Sequence, residues 1–472
     1  MKQIERLINR IMNRVNLNLK EFNLKADKYF ADIIPVEKFI EFYAFYGVTS
    51  HHPLFFRFNK SNIGGSYFLG KCIVDHSVLY KSDIRGDELK RKGDTFEHDG
   101  MTILLEDDES IRIRDSFLIK TLVHNFSHDP ENPEEFLIQN TVAAHYSNIH
   151  GSPVEGCFLG AFATVDLTTL HSCNIGAFSY VQAGDLYHQN VEPGTIWIKS
   201  DKFEFKYVFP KEILKEYISF EPGLRPQGII MDFVESRKDD FKGIYDIISC
   251  DAPVSTPSNT ALNRYAYVTG DTQISENVLV SQRAYLDNAW MGPGTNAQEN
   301  AYIINSRLEK NDITAHGGKI INSKLEEKVF VGFNSFIRGD KESPLKIGAG
   351  SIIMPHTIID LKEPLEIAPE SIVWGINKNK EDLKENSMSL AEFKKIDNKT
   401  SKGSMVFSGS GSEFVHAFLH RIDHILEANG AFYEKMKIKG HAQEGNTIAF
   451  NIIQPYLTGR YKGLYPTMDI KP

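Results

Sequence analysis

The sequence predicts a mainly β chain: two left-handed parallel β-helix domains in tandem, with α-helical extensions at the N- and C-termini. Three observations carry this. Apolar residues recur every six positions in two separate stretches. Gly, Asn, Asp and Ser fill the intervals between them. The second stretch then repeats the first in detail.

Residues 1–55 form the first segment. Ile4, Leu7, Ile8, Ile11 and Val15 recur at helical spacing, which predicts a short amphipathic helix. Charges run throughout it, so no continuous apolar stretch of a secretory signal is present. The first β-helix is expected over 56–200. Cys72, Val78 and Ile84 are six apart, as are Ile113 and Ile119, Leu159 and Val165, and Ile175 and Val181. A period of six suits neither a helix nor a simple alternating strand. It suits a chain wound as a triangular prism, one apolar residue pointing inward from each edge, about 18 residues per coil. Ordinary short strands in a sandwich are the competing arrangement, but they do not produce successive hits at one spacing.

Residues 201–262 lose the step. KEILKEYISF predicts a helix there and DAPVSTPSNT a loop. The second β-helix is expected over 263–376: Val268, Ile274, Val280 and Leu286 keep the step, then Leu325, Val331 and Ile337, then Ile347, Ile353, Ile359 and Leu365. The tail, 377–472, is polar and Lys-rich before a Gly- and Ser-rich stretch. A helix is predicted from Ser412 to a stop at Asn429-Gly430.

Composition narrows the function. The 53 basic residues are outnumbered by 62 acidic ones, a net charge of -9, which argues against a general nucleic-acid binder. No apolar run is long enough for a membrane-spanning helix. Cys72, Cys157, Cys173 and Cys250 are scattered and form no Cys-x-x-Cys pair. That predicts a reducing compartment, with the cytoplasm as the expected location and no disulfide framework.

The stretch 121–165 carries the chemistry. His124, His145 and His150 are candidate metal ligands, since three imidazoles and a water make an open catalytic zinc site. His124 and His150 are 26 positions apart. An eight-residue excursion around DPENPEE leaves one coil of 18, which stacks the two on one face. His145 falls near the preceding corner and points elsewhere, so a metal at a subunit boundary would satisfy the geometry. His128 is an alternative to His124. Corner residues bonding the backbone are the structural alternative for His145 and His150.

AAHYSNIHGSPVEGCFLGAFATV resembles the zinc-binding stretch of the gamma-class carbonic anhydrases: a His, four residues, a His-Gly, then a Gly-rich aliphatic coil. Val123-His124 stands where that family has its earlier His. IRGDE, Ile84 to Glu88, is similar to the family's Arg-x-Asp segment. The resemblance spans roughly residues 60–200. It implies a homotrimer of β-helices or a multiple of three, with zinc between subunits on His124, His145 and His150. Cobalt or iron(II) fits the same donors. It also implies proton transfer through Glu88, and Arg85 and Asp87 at the subunit boundary. Arg85 and Asp87 can equally be a structural salt bridge. Leu118 and Ile119 depart from the Gln-Asp pair that the family carries ahead of its first His.

In the second copy, His316 aligns with His145 and Ile321 with His150. Gln298 and Glu299 stand in the Gln-Asp places, and Ile304 aligns with the first His. This copy cannot hold zinc by the same scheme. His416, His420 and His424 lie four apart on one helix face; a polar stripe at an interface is the expected role, and metal binding is the alternative. VEPGTIWI and IAPESIVWG resemble the closing coils of hexapeptide-repeat enzymes. Three functions follow, the first two on a small-molecule substrate: zinc-dependent hydration of carbon dioxide, acyl transfer from acyl-CoA with His316 or His145 as base, or a non-catalytic oligomeric scaffold.

Overall fold

The computed structural model describes residues 2–30, 35–49, 55–98, 100–126, 135–246 and 254–471. Cys250, His128 and the DPENPE residues of the excursion lie outside them. The structure is mainly β, and parallel strands stack coil upon coil in both halves. The chain divides into two compact units: 1–194 with 211–232 and 448–472, and 195–210 with 233–447.

In the first unit the inward residues Ile149, Val154, Leu159, Val165, Leu170, Ile175 and Val181 are fully buried. Their steps run five, five, six. A coil is therefore 16 residues, seen in the cross-coil bond from Asn148 to Thr164, and not the 18 expected. Val78 also departs from the expected pattern. The inward residue is its neighbour Leu79, in register with Leu118. Val78 instead packs with Phe117, Val142 and Phe158 beneath the N-terminal helix, Lys2–Asn18, which buries Ile4, Leu7, Ile11, Met12 and Val15. The amphipathic spacing of that helix thus covers one flat face of the prism. Strand Ala449–Ile453 pairs antiparallel with Ala44–Val48.

In the second unit, Leu286, Ile303, Ile320 and Ile337 stack along the axis, all fully buried. The first coil is 18 residues, Val268 to Leu286, the middle coils are 17, as between Ser306 and Ser323, and Phe336 to Ile358 spans 22. Two edges in three keep the six-step, which is why it reads so clearly in the sequence. Strand Ser387–Ser389 pairs antiparallel with Ser371–Val373 and ends the parallel stack. The tail helix spans Gly411–Ala428, one residue earlier than expected at its start. Its N-cap is Ser410, accepting the Glu413 N–H, and not Ser412. Phe414 of this helix packs against Phe205, Phe393 and Phe407. The sequence placed KEILKEYISF on a helix, and Lys211–Tyr217 is one. Among the described residues, no helix is long and apolar enough to cross a membrane.

Both prisms turn corners with buried residues, where each backbone N–H needs an acceptor. Small polar side chains supply it, one coil apart. The Ser77 N–H donates to Ser61 Oγ, Ser116 to Ser77, Thr141 to Ser116, Cys157 to Thr141 and Cys173 to Cys157 Sγ. This explains the Ser, Thr and Cys residues interleaved with the aliphatic step. Cys72, Cys157 and Cys173 are buried free thiols.

Candidate functional site

The first unit builds a polar face from four consecutive strands. Arg85, His124, His150 and Asp166 are register partners in that order. Their neighbours Ile84, Val123, Ile149 and Val165 fill the axis, so alternation turns these four outward. The rings of His124 and His150 meet edge to face with centroids 5.0 Å apart. Nδ1 of His150 lies 2.8 Å from Oδ1 of Asp166. The second carboxylate oxygen of Asp166 accepts the hydroxyl of Tyr180, which also lies 3.0 Å from Gln182 Oε1. With Nδ1 so held, His150 presents Nε2. Nε2 of His124 sits 3.1 Å from Glu88 Oε1.

Arg85 bonds Asp87 within the same strand, Nε to Oδ1 at 3.0 Å, and its guanidinium lies 4.0 Å from Glu88. The Asp87 side chain is 2% exposed. His145 is buried at a corner beside Tyr146, whose φ is 61°. Within the chain, its ligand atoms do not come within 4.8 Å of those of His124 and His150 together. Asp166 and Tyr180 escaped the sequence reading. The available signal was distance: Asp166 stands one 16-residue coil after His150.

The second unit places Ile304 and Ile321 in the register relation that His124 and His150 have in the first. Two aliphatic side chains there offer no lone pairs. Its polar centre lies at the corner instead. His316 Nδ1 is 2.7 Å from Glu299 Oε2, with side chains 2% and 0% exposed. The Gly317 N–H donates to the Glu299 carbonyl at 2.8 Å, so the residue whose carboxylate lies against the ring also fixes the turn. Gly317 adopts φ +70°, and a Cβ there would stand 2.3 Å from Asn334 Oδ1. Phe333 flanks the imidazole, centroids 5.3 Å apart. Lys319 is buried and donates to the Gly317 carbonyl. Burial pushes its amine down to about 7. The sequence reading found Glu299 and His316 separately. Their pairing follows only from a 17-residue coil.

A family described as "Hexapeptide repeat including loop" matches residues 101–222. A crystal structure from Desulfovibrio desulfuricans G20, described as a "putative acetyltransferase", is 54% identical over 100% of this chain and 99% of its own, with a TM-score of 0.92. A Bacillus cereus structure, also described as a "putative acetyltransferase", is 13% identical over 36% of this chain and 90% of its own, with a TM-score of 0.18. No curated protein matches the chain. These likenesses do not single out the gamma-class carbonic anhydrases. With two coiled prisms and 54% identity over its whole length to the Desulfovibrio protein, the chain belongs to that protein's family within the hexapeptide-repeat superfamily.

Proposed function

We propose that this protein is an acyltransferase that uses acyl-CoA, with His316 as its general base. The observation that carries the reading is the buried pair of His316 Nδ1 and Glu299 Oε2 at 2.7 Å. A carboxylate oxygen 2.7 Å from Nδ1 stabilises the positive charge that the ring gains when Nε2 takes a proton. In the reaction, Nε2 takes the proton of an acceptor amine or hydroxyl as that group attacks the thioester carbonyl. The carbon–sulfur bond breaks, and the thiolate leaves and recovers the proton. Glu299 stabilises the imidazolium between the two transfers. The description of the Desulfovibrio relative supports the same class.

The test is thiol release from acetyl-CoA with a panel of amines and hydroxyl compounds. His316→Ala should lower the rate by about a hundredfold to ten-thousandfold, and His150→Ala should be tolerated. The opposite ranking refutes the proposal.

A second reading is favoured by the register pairing of His124 and His150. Two imidazoles on one face, backed by Glu88 and Asp166, fit two positions of a three-histidine metal site. His145 does not complete the set within its own chain. With His145 as the third ligand, as the gamma-class resemblance implies, this reading takes an assembly in threes, with His145 donated to a neighbouring copy. The chemistry a zinc ion supplies there is Lewis acidity toward water. Arg85 and Asp87 would steady the strand carrying Glu88, and Glu88 would pass the proton to solvent. Metal analysis with a carbon dioxide hydration assay tests it. About one zinc per chain, lost in His150→Ala, supports it; a metal-free protein that takes up none on titration overturns it.

A further inference from the structure

The tail helix Gly411–Ala428 carries a second set of imidazoles, remote in sequence from both centres above. His416, His420 and His424 are all accessible on its outer side. The rings of His416 and His420 have centroids 6.4 Å apart. The backbone beneath them is fixed. Ser410 caps the helix, and Phe414, Val415, Phe418, Ile422 and Leu426 are buried along its other face. Asp423 and Glu427 share the outer side, with Asp423 Oδ1 2.6 Å from Lys328 Nζ.

We propose that this face is a surface site for one late divalent transition cation, copper(II) or nickel(II) before zinc, held by a pair of imidazoles four residues apart. Residues at i and i+4 stand one above the other on a helix, and a bis-imidazole pair at that spacing chelates such ions. Metal–nitrogen bonds of about 2.0–2.1 Å ask the two rings to swing toward a common ion, a rotamer change that leaves the helix in place. His416 and His424 are about 12 Å apart along the axis, so one ion cannot take all three. His420 is shared by the 416/420 and 420/424 pairs and is the residue the site depends on. Carboxylates nearby favour a cation over an anion. Oxygen-seeking Mg²⁺ and Ca²⁺ find too few oxygen donors here.

The test is calorimetric titration of copper(II), nickel(II) and magnesium into the full chain carrying His124→Ala and His150→Ala, which silences the other imidazole face. About one copper or nickel ion per chain is expected, with no magnesium heat. Adding His420→Ala should weaken binding by about tenfold or more. His416→Ala or His424→Ala alone should weaken it less, because each leaves one pair intact. Helix content by circular dichroism should not change, since none of the three side chains is part of the buried face. Unchanged copper and nickel affinity in the His420→Ala background overturns the proposal, as does equal binding of magnesium.

Discussion

Ser152→Ala should loosen the polar face of the first unit without touching an imidazole. Ser152 is fully buried. It is the middle rung of a corner ladder: its N–H donates to Asn125 Oδ1 at 3.2 Å, and its Oγ accepts the Thr168 N–H at 3.0 Å. The hydroxyl donates to the His150 carbonyl at 2.8 Å. Alanine keeps the first bond and deletes the other two. The His150 carbonyl still accepts the Leu167 N–H, so one group is orphaned, the Thr168 amide. A buried donor without an acceptor costs about 1–3 kcal/mol, roughly a fivefold to hundredfold rise in local opening. Hydrogen exchange at Thr168 reads this directly, and urea unfolding reads the global share. Ser152→Thr should lose much less, because the next rung, Thr168, already donates and accepts through its hydroxyl in this way. If Thr168 protection is unchanged in Ser152→Ala, or falls equally in Ser152→Thr, the ladder is not what satisfies these corners.

Three further outcomes follow. Gly317→Ala forces a left-handed φ on an L residue and drives Cβ to 2.3 Å from Asn334 Oδ1; it should lower stability by more than about 1 kcal/mol and cut acyl transfer, measured by thermal melting and thiol release. The folded Lys319 amine titrates near 7, below its unfolded value, so the unfolded chain binds more protons between them. Stability should therefore climb as pH rises from about 7 toward 10, and Lys319→Met should flatten that part of the urea-unfolding profile. Ser410→Ala should cost about 1 kcal/mol through loss of the helix cap, whereas Ser412→Ala, exposed in the first turn, should cost little; equal losses in urea melts would misplace the cap.

The sequence alone determined the architecture, because a β-helix is written in local steps. Each inward aliphatic residue answers to its own edge, so Val268, Ile274, Val280 and Leu286 announce the prism without knowledge of any distant contact. The amphipathic spacing of Ile4, Leu7, Ile11 and Val15 marked the N-terminal helix for the same reason. The imidazoles of the chemistry-bearing stretch were legible as well, since their residue types are rare among aliphatic repeats.

Tertiary structure decided what depends on coil length. A corner can absorb a residue without changing which side chains face inward, so edges of five and six both satisfy the hydrophobic core, and the step cannot be summed into a coil. The observed 16 and 17 residues per turn set which side chains meet across coils. They bring Asp166 to His150 and Glu299 to His316, partners lying 16 and 17 positions away along the chain. They also turn Val78 out of the axis and under a helix. Local pattern names the residues that can do chemistry, but contact between coils decides which nitrogen each carboxylate faces.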